Sequence, residues 1–82
     1  MDIQIYTGSG CGYCSKAKEL MERAGFEYTE IRIGKGITRE EFKEKFDKTS
    51  YPQIMIDGNH IGGLVETVRY MVEQKLITKG SV

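Results

Sequence analysis

The sequence is poor in metal ligands. It carries two cysteines and one histidine in 82 residues, and a zinc centre ordinarily needs four ligands. With no second cysteine pair, a protein-built metal site is not expected. Charge of one sign is also missing. Lys and Arg total 12, and so do Asp and Glu. A neutral chain gives no reason to expect nucleic acid or an anionic membrane as partner. No apolar run approaches the length needed to span a bilayer, and the first residues lack a basic segment followed by an apolar one. A cytoplasmic protein is therefore expected. No internal repeat, low-complexity tract or linker is present. The length implies one domain, residues 1–82, with a small core. Hydrophobic residues at 39% and charged residues at 29% fit a globular chain.

The stretch Cys11-Gly12-Tyr13-Cys14 is the feature around which the rest is arranged. Two cysteines at this spacing form either a small disulfide or a dithiol. In a reducing compartment they are catalytic more often than structural. Half of a zinc site, or two buried structural cysteines, are the other readings of the pair. Ile3-Gln4-Ile5-Tyr6 before the motif alternates like a short strand, and Gly8-Ser9-Gly10 makes a turn. Residues 14–24 place Cys14, Ala17, Leu20, Met21 and Ala24 on one helical stripe. Cys11 then sits at or just before a helix N-terminus, where free N–H groups and the dipole favour a thiolate. A cysteine pair beside a βα unit is a thioredoxin-like redox signature.

The remaining elements follow in order. Gly25 suits a helix end. Residues 26–33 read as a second strand, parallel to the first because a helix joins them. Gly34-Lys35-Gly36 breaks the chain. Thr38 and Glu41 form a capping box for a second helix, whose Phe42 and Phe46 share one face and pack on the core. Residues 53–56 form a third strand. Asp57-Gly58-Asn59 is a tight turn, and His60-Ile61 a short fourth strand antiparallel to the third. Leu64, Val68, Met71 and Val72 lie on one face of a third helix. Lys79-Gly80-Ser81-Val82 reads as a frayed tail.

Three landmarks agree in order and spacing with one family. They are the Cys11–Cys14 motif, the pair preceding Pro52, and Gly62-Gly63 after a turn. Together they make the chain resemble a dithiol glutaredoxin, a branch of the thioredoxin fold, from residue 3 to about 76. The resemblance implies an α/β fold with a four-stranded mixed sheet of order 2-1-3-4 and three flanking helices. It implies a cis Tyr51–Pro52 bond opposite the cysteines, with the Tyr51 backbone free to pair with an extended thiol substrate. It implies glutathione as reductant, held by Tyr13, Tyr51, Pro52, Gly63, Val65 and Glu66. The N–H of Val65 would meet a carboxylate at the helix N-terminus, and Glu66 an ammonium. Two departures stand out. Gly8 replaces a common lysine, for which Lys48 or Arg32 could substitute, and Gly12 replaces a common proline.

The expected chemistry is glutathione-dependent reduction of protein disulfides and glutathione mixed disulfides. Cys11 attacks and Cys14 resolves. Expected partners are glutathione and disulfide-bearing or glutathionylated proteins. His60 is read as a surface histidine on a hairpin rather than a base. Two alternatives remain open. One is a glutaredoxin that binds or carries a two-iron, two-sulfur cluster as a dimer, with Cys11 as ligand. The other is a redoxin reduced directly by thioredoxin reductase. Without a cluster the protein is expected to be a monomer.

Overall fold

The computed structural model describes residues 1–77. The tail expected at residues 79–82 lies outside that range. The elements are β1 (Ile3–Thr7), α1 (Gly12–Ala24), β2 (Thr29–Arg32), α2 (Arg39–Phe46), β3 (Gln53–Ile56), β4 (Asn59–Gly62) and α3 (Leu64–Glu73). The strands form one mixed sheet in the order β2-β1-β3-β4. β1 and β2 run parallel, while β3 is antiparallel to both β1 and β4. This is the thioredoxin-like arrangement that the resemblance implies.

Alternation along the two central strands decides the layers. Ile3 and Ile5 of β1 join Ile54 and Ile56 of β3 in one buried cluster. Ala17, Leu20 and Met21 of α1 and Met71 of α3 close it. Tyr6, the residue after Ile5, belongs to a second cluster with Phe42 and Phe46 of α2, and Met55 packs against it. The sheet is thus covered on both faces. Tyr6 and Phe46 meet edge to face with centroids 4.8 Å apart, a favoured aromatic geometry. The core role expected for Phe42 and Phe46 holds.

Local signals set the ends. Gly25 is left-handed at φ 80°. Its N–H bonds the Glu22 carbonyl, and the Phe26 N–H bonds that of Met21, a Schellman closure. That closure explains why β2 starts at Thr29 rather than at 26. Phe26 belongs to the helix stop and packs on the core. At the other end, Lys35 and Gly36 both donate to the Arg32 carbonyl, so the chain turns just past Ile33, whose N–H still bonds the Thr7 carbonyl. The Thr38–Glu41 capping box is present in both directions, at 3.1 and 3.0 Å. Asp57 and Gly58 are both left-handed, at φ 52° and 82°, as a tight hairpin turn requires.

Two features of the last third were not foreseen. Ile54 pairs with Gly62 while Met55 pairs with His60, so β4 carries one extra residue, Ile61. This bulge turns the chain at Gly62, φ 128°, toward α3. In α3 the fully buried positions are Thr67 and Met71, with Leu64 and Val68 only partly covered. Among the described residues, no helix is long and apolar enough to cross a membrane.

Candidate active site

The motif forms where β1 ends and α1 begins. Gly10 is left-handed at φ 67° and carries the chain off the sheet. Cys11 is the N-cap of α1, with an extended backbone at φ −96° and ψ 104°. Its Sγ lies 3.1 Å from the Cys14 N–H, in the place of a capping oxygen. The two cysteines are joined as a disulfide, with Cα atoms 5.3 Å apart. They differ in access. Cys14 is 3% exposed, whereas Cys11 is partly open. Helix geometry explains this, because Cys14 begins the apolar stripe that Ala17 and Met21 continue.

Beside Cys11 lies a shallow pocket of about 390 Å³ that includes Lys18, Glu30 and Arg32. Lys18 and Glu30 are ion-paired at 3.3 Å. The Thr7 hydroxyl donates to the same Glu30 oxygen at 2.8 Å. That hydroxyl, then Lys18, holds the Glu30 carboxyl below its ordinary pKa against the opposing effect of burial. The Lys18 charge is therefore met locally.

On the other flank of the motif runs a groove of about 360 Å³. Tyr13, Tyr51, Pro52, Gly63, Val65 and Glu66 all line it. The six residues come from three separate parts of the chain. The Tyr51–Pro52 bond is cis. Gly63 is the N-cap of α3, so Leu64 and Val65 occupy its first turn. Val65 is 64% exposed. Glu66 folds back, and its Oε1 accepts the Gly63 N–H at 2.9 Å. A Cβ on Gly62 would come within 3.0 Å of Glu66 carbons, so the glycine makes room for that fold. Cys11 and Cys14 do not line this groove, although Tyr13 of the same motif does.

A model of the glutaredoxin family matches residues 3–61. The chain belongs to the glutaredoxin family. It is similar to glutaredoxin 3 of Escherichia coli strain K12, 41% identical over 63 residues, which span 76% of each chain. The solution structure of reduced Escherichia coli glutaredoxin superposes with a TM-score of 0.77 at 35% identity, covering 92% of this chain and 98% of that one. A crystal structure of a buckwheat glutaredoxin–glutathione complex gives 0.76 at 25% identity, covering 90% and 71%. A glutaredoxin with a Cys-x-x-Cys pair is a thiol–disulfide oxidoreductase.

Several residues of this glutaredoxin are placed where sequence reasoning did not foresee. Gly8 underlies the ring of Tyr51. A Cβ on Gly8 would lie 2.5 Å from two ring carbons, so the ring fills the space of any side chain at that position. Of the two cations considered as substitutes, Lys48 lines the groove and Arg32 lines the pocket beside Cys11. Gln53 is buried, and its amide nitrogen donates to the Ser50 carbonyl at 3.1 Å. Its oxygen therefore accepts, and His60 donates to it through Nε2 at 2.7 Å. His60 stands on the hairpin and packs on Phe46 with centroids 4.6 Å apart and the rings tilted by 48°. Burial, and then Lys48, push its pKa below the ordinary value. A strand-initial glutamine seven residues before a histidine was the available signal, but strand alternation alone does not reveal the pairing.

Proposed function

We propose that residues 1–82 act as one glutathione-dependent reductase of protein disulfides and glutathione mixed disulfides, working as a monomer in the cytoplasm. The unequal access of the two cysteines carries this reading. Cys11 is partly open and its Sγ caps the N-terminus of α1, while Cys14 is buried in the first turn. The helix N-terminus favours the Cys11 thiolate, and exposure lets a disulfide reach it.

In the monothiol route, the Cys11 thiolate attacks the glutathione sulfur of a mixed disulfide. A Cys11–glutathione bond forms and the substrate leaves as thiolate. A second glutathione thiolate then attacks the bound glutathione sulfur. Glutathione disulfide departs and Cys11 is regenerated. In the dithiol route, Cys11 opens a protein disulfide and Cys14 attacks the Cys11 sulfur, expelling the substrate. Two glutathiones reduce the resulting Cys11–Cys14 bond.

The groove supports glutathione as that reductant. Its Tyr51-Pro52 segment offers a backbone edge to an extended peptide, and the first turn of α3 offers free N–H groups to a carboxylate. Glu66 retains a second carboxylate oxygen for an ammonium. The buckwheat glutaredoxin crystallised with glutathione adds family support. The test is NADPH consumption coupled through glutathione reductase, or through thioredoxin reductase without glutathione. Cys11→Ser should abolish turnover in the first. Cys14→Ser should retain mixed-disulfide reduction and lose most protein disulfide reduction. Equal loss of both activities in Cys14→Ser refutes the division of roles. Turnover only through thioredoxin reductase refutes the glutathione reading.

A second reading has its own observation. A Cβ on Gly12 would meet nothing within 4 Å, so space is open beside Cys11. Cys11 is one sulfur ligand per chain, so a two-iron, two-sulfur cluster would require two copies and two glutathiones. Cys14 opposes this by sequestering Cys11. Anaerobic reconstitution with iron, sulfide and glutathione, followed by sizing chromatography, tests it. A colourless monomer rejects the reading, and Gly12→Pro should weaken any cluster formed.

A further inference from the structure

The groove has two walls. Ser50, Tyr51 and Pro52 make one, just ahead of β3. Gly62 and Gly63 make the other, where β4 ends. The strands beneath hold these walls together loosely. The β3–β4 register shifts between Ile54 and Met55, so one pair, Ile54 with Gly62, lies on the groove side of the bulge. A bulge disrupts the ladder and lets a strand bend, and here it does so where the walls part. One side-chain bond crosses the gap. His60, on the far side of the bulge, meets the Gln53 Oε1 through Nε2 at 2.7 Å. The Gln53 amide nitrogen reaches the Ser50 carbonyl at 3.1 Å and the Ser50 hydroxyl at 3.4 Å. Gln53 is 3% exposed, so little water can take the place of these partners.

The orientation of this amide decides both bonds. Turned over, it would set its oxygen against the Ser50 carbonyl, acceptor facing acceptor. A donor at position 60 holds oxygen and nitrogen in the order observed. Phe46 of α2 braces the His60 ring from behind. His60 itself lines neither the groove nor the pocket beside Cys11.

We propose that His60 is a positioning residue for glutathione binding, fixing the Gln53 amide and, through it, the separation of the two groove walls. The proposal rests on the reading that the groove holds glutathione. A ligand that pairs with the Tyr51 backbone and also reaches the first turn of α3 touches both walls at once. Walls already held at the right spacing spare binding an ordering cost. Cys11 belongs to neither wall, so the effect falls on binding and not on the sulfur chemistry.

Three variants separate the bond from the packing. His60→Phe keeps a ring against Phe46 and removes the donor. His60→Gln places an amide N–H where Nε2 stood, and His60→Asn stops one methylene short. Each is assayed for turnover of the glutathione–mercaptoethanol mixed disulfide with glutathione. Each is also alkylated by iodoacetamide in the reduced form, a reaction that needs Cys11 and not the groove. His60→Phe and His60→Asn should raise KM about fivefold, the scale of one net hydrogen bond, and leave kcat within about twofold of wild type. His60→Gln should bring KM back to within about twofold. Alkylation rates should match wild type throughout. An unchanged KM in His60→Asn, or no rescue by His60→Gln, overturns the proposal. So does an alkylation rate that falls in step with the loss in KM, because the damage is then general. If His60→Phe does not fold, His60→Asn against His60→Gln decides alone, at a position exposed to solvent. If wild type turns over no glutathione mixed disulfide, the functional reading fails separately. His60 is then judged by the backbone amide shifts of Ser50 and Tyr51. Displacement in His60→Asn with return in His60→Gln supports the tether. Displacement in neither, or in both alike, overturns it.

Discussion

Replacing Gly8 by alanine tests how tightly the wall of the groove is built. The backbone of Gly8 is outside the left-handed region, so the substitution is purely a question of space. The new Cβ would sit 2.5 Å from Cδ2 and Cε2 of Tyr51 and 3.0 Å from Cγ, where ordinary contact begins at 3.4 Å. The ring must retreat by about 1 Å. Behind it stands Phe42, itself wedged between Tyr6 and Phe46 with centroids 6.3 and 5.1 Å away. The ring therefore either strains this cluster or swings into solvent. Overpacking of this kind costs about 1–3 kcal/mol. Alanine returns about 0.4–1 kcal/mol by stiffening the unfolded chain. The net loss is about 1–2 kcal/mol, which for a domain of this size lowers Tm by roughly 5–15 °C. Circular dichroism melts of wild type, Gly8→Ala, Tyr51→Ala and the double variant close a thermodynamic cycle. The double variant should be no less stable than Tyr51→Ala alone, a coupling of about 1–2 kcal/mol. Additive losses, or a Gly8→Ala melt indistinguishable from wild type, would refute the steric argument.

Other outcomes follow from the same geometry. Glu66→Gln keeps an oxygen for the Gly63 N–H, so Tm should hardly move, while KM for glutathione mixed disulfides rises about threefold to tenfold through loss of the charge. Gln53→Met, of similar volume, removes the hydrogen bond to the carbonyl of the exposed Ser50 and should cost about 0.5–1.5 kcal/mol in urea unfolding. It should also raise KM more than it lowers kcat, because the Tyr51-Pro52 segment loses its tether. His60 is held below its unfolded value of 6.5 by burial and Lys48. The unfolded chain thus binds the proton first, so stability is level above about pH 7 and falls as pH drops through 6.5. Urea midpoints between pH 7 and 5 should show this step in wild type and lack it in His60→Gln.

Much of this was legible because each element carries its own punctuation. The apolar stripe of α1, the Thr38–Glu41 box and the Asp57-Gly58 turn are local patterns, and each fixes a boundary within a few residues. The parallel pairing of β1 with β2 followed from the helix between them. The start of β2 was misplaced because Phe26 looks like a strand residue, yet it is claimed by the helix stop before it. The place of Cys11 and Cys14 at the start of α1 followed from their spacing together with the strand before them and the apolar stripe after them. That Tyr13, Tyr51, Pro52, Gly63, Val65 and Glu66 would line one groove was an expectation of the resemblance alone, since nothing local brings Tyr13 near Val65. The Gly8–Tyr51 contact and the Ser50–Gln53–His60 chain were invisible because each joins positions whose closeness depends on β1, β3 and β4 being laid side by side. Thr67 was missed because helix periodicity ranks apolar residues and passes over a buried hydroxyl.

The position of β1 and β3 at the centre of the sheet has a consequence for how the protein loses activity. Cys11 follows β1 by a short loop, and the Tyr51-Pro52 segment immediately precedes β3. The antiparallel ladder from Ile3–Ile56 to Tyr6–Gln53 ties the end of β1, which leads to Cys11, to the Tyr51-Pro52 side of the groove. Slipping it by one residue would move one against the other by about 3.3 Å. These central amides should be the last to exchange with deuterated solvent, while β2, an exposed edge strand, opens first. Opening β2 leaves the spacing between Cys11 and Pro52 intact. Catalysis should therefore persist through partial opening of that edge and disappear only when the two middle strands separate.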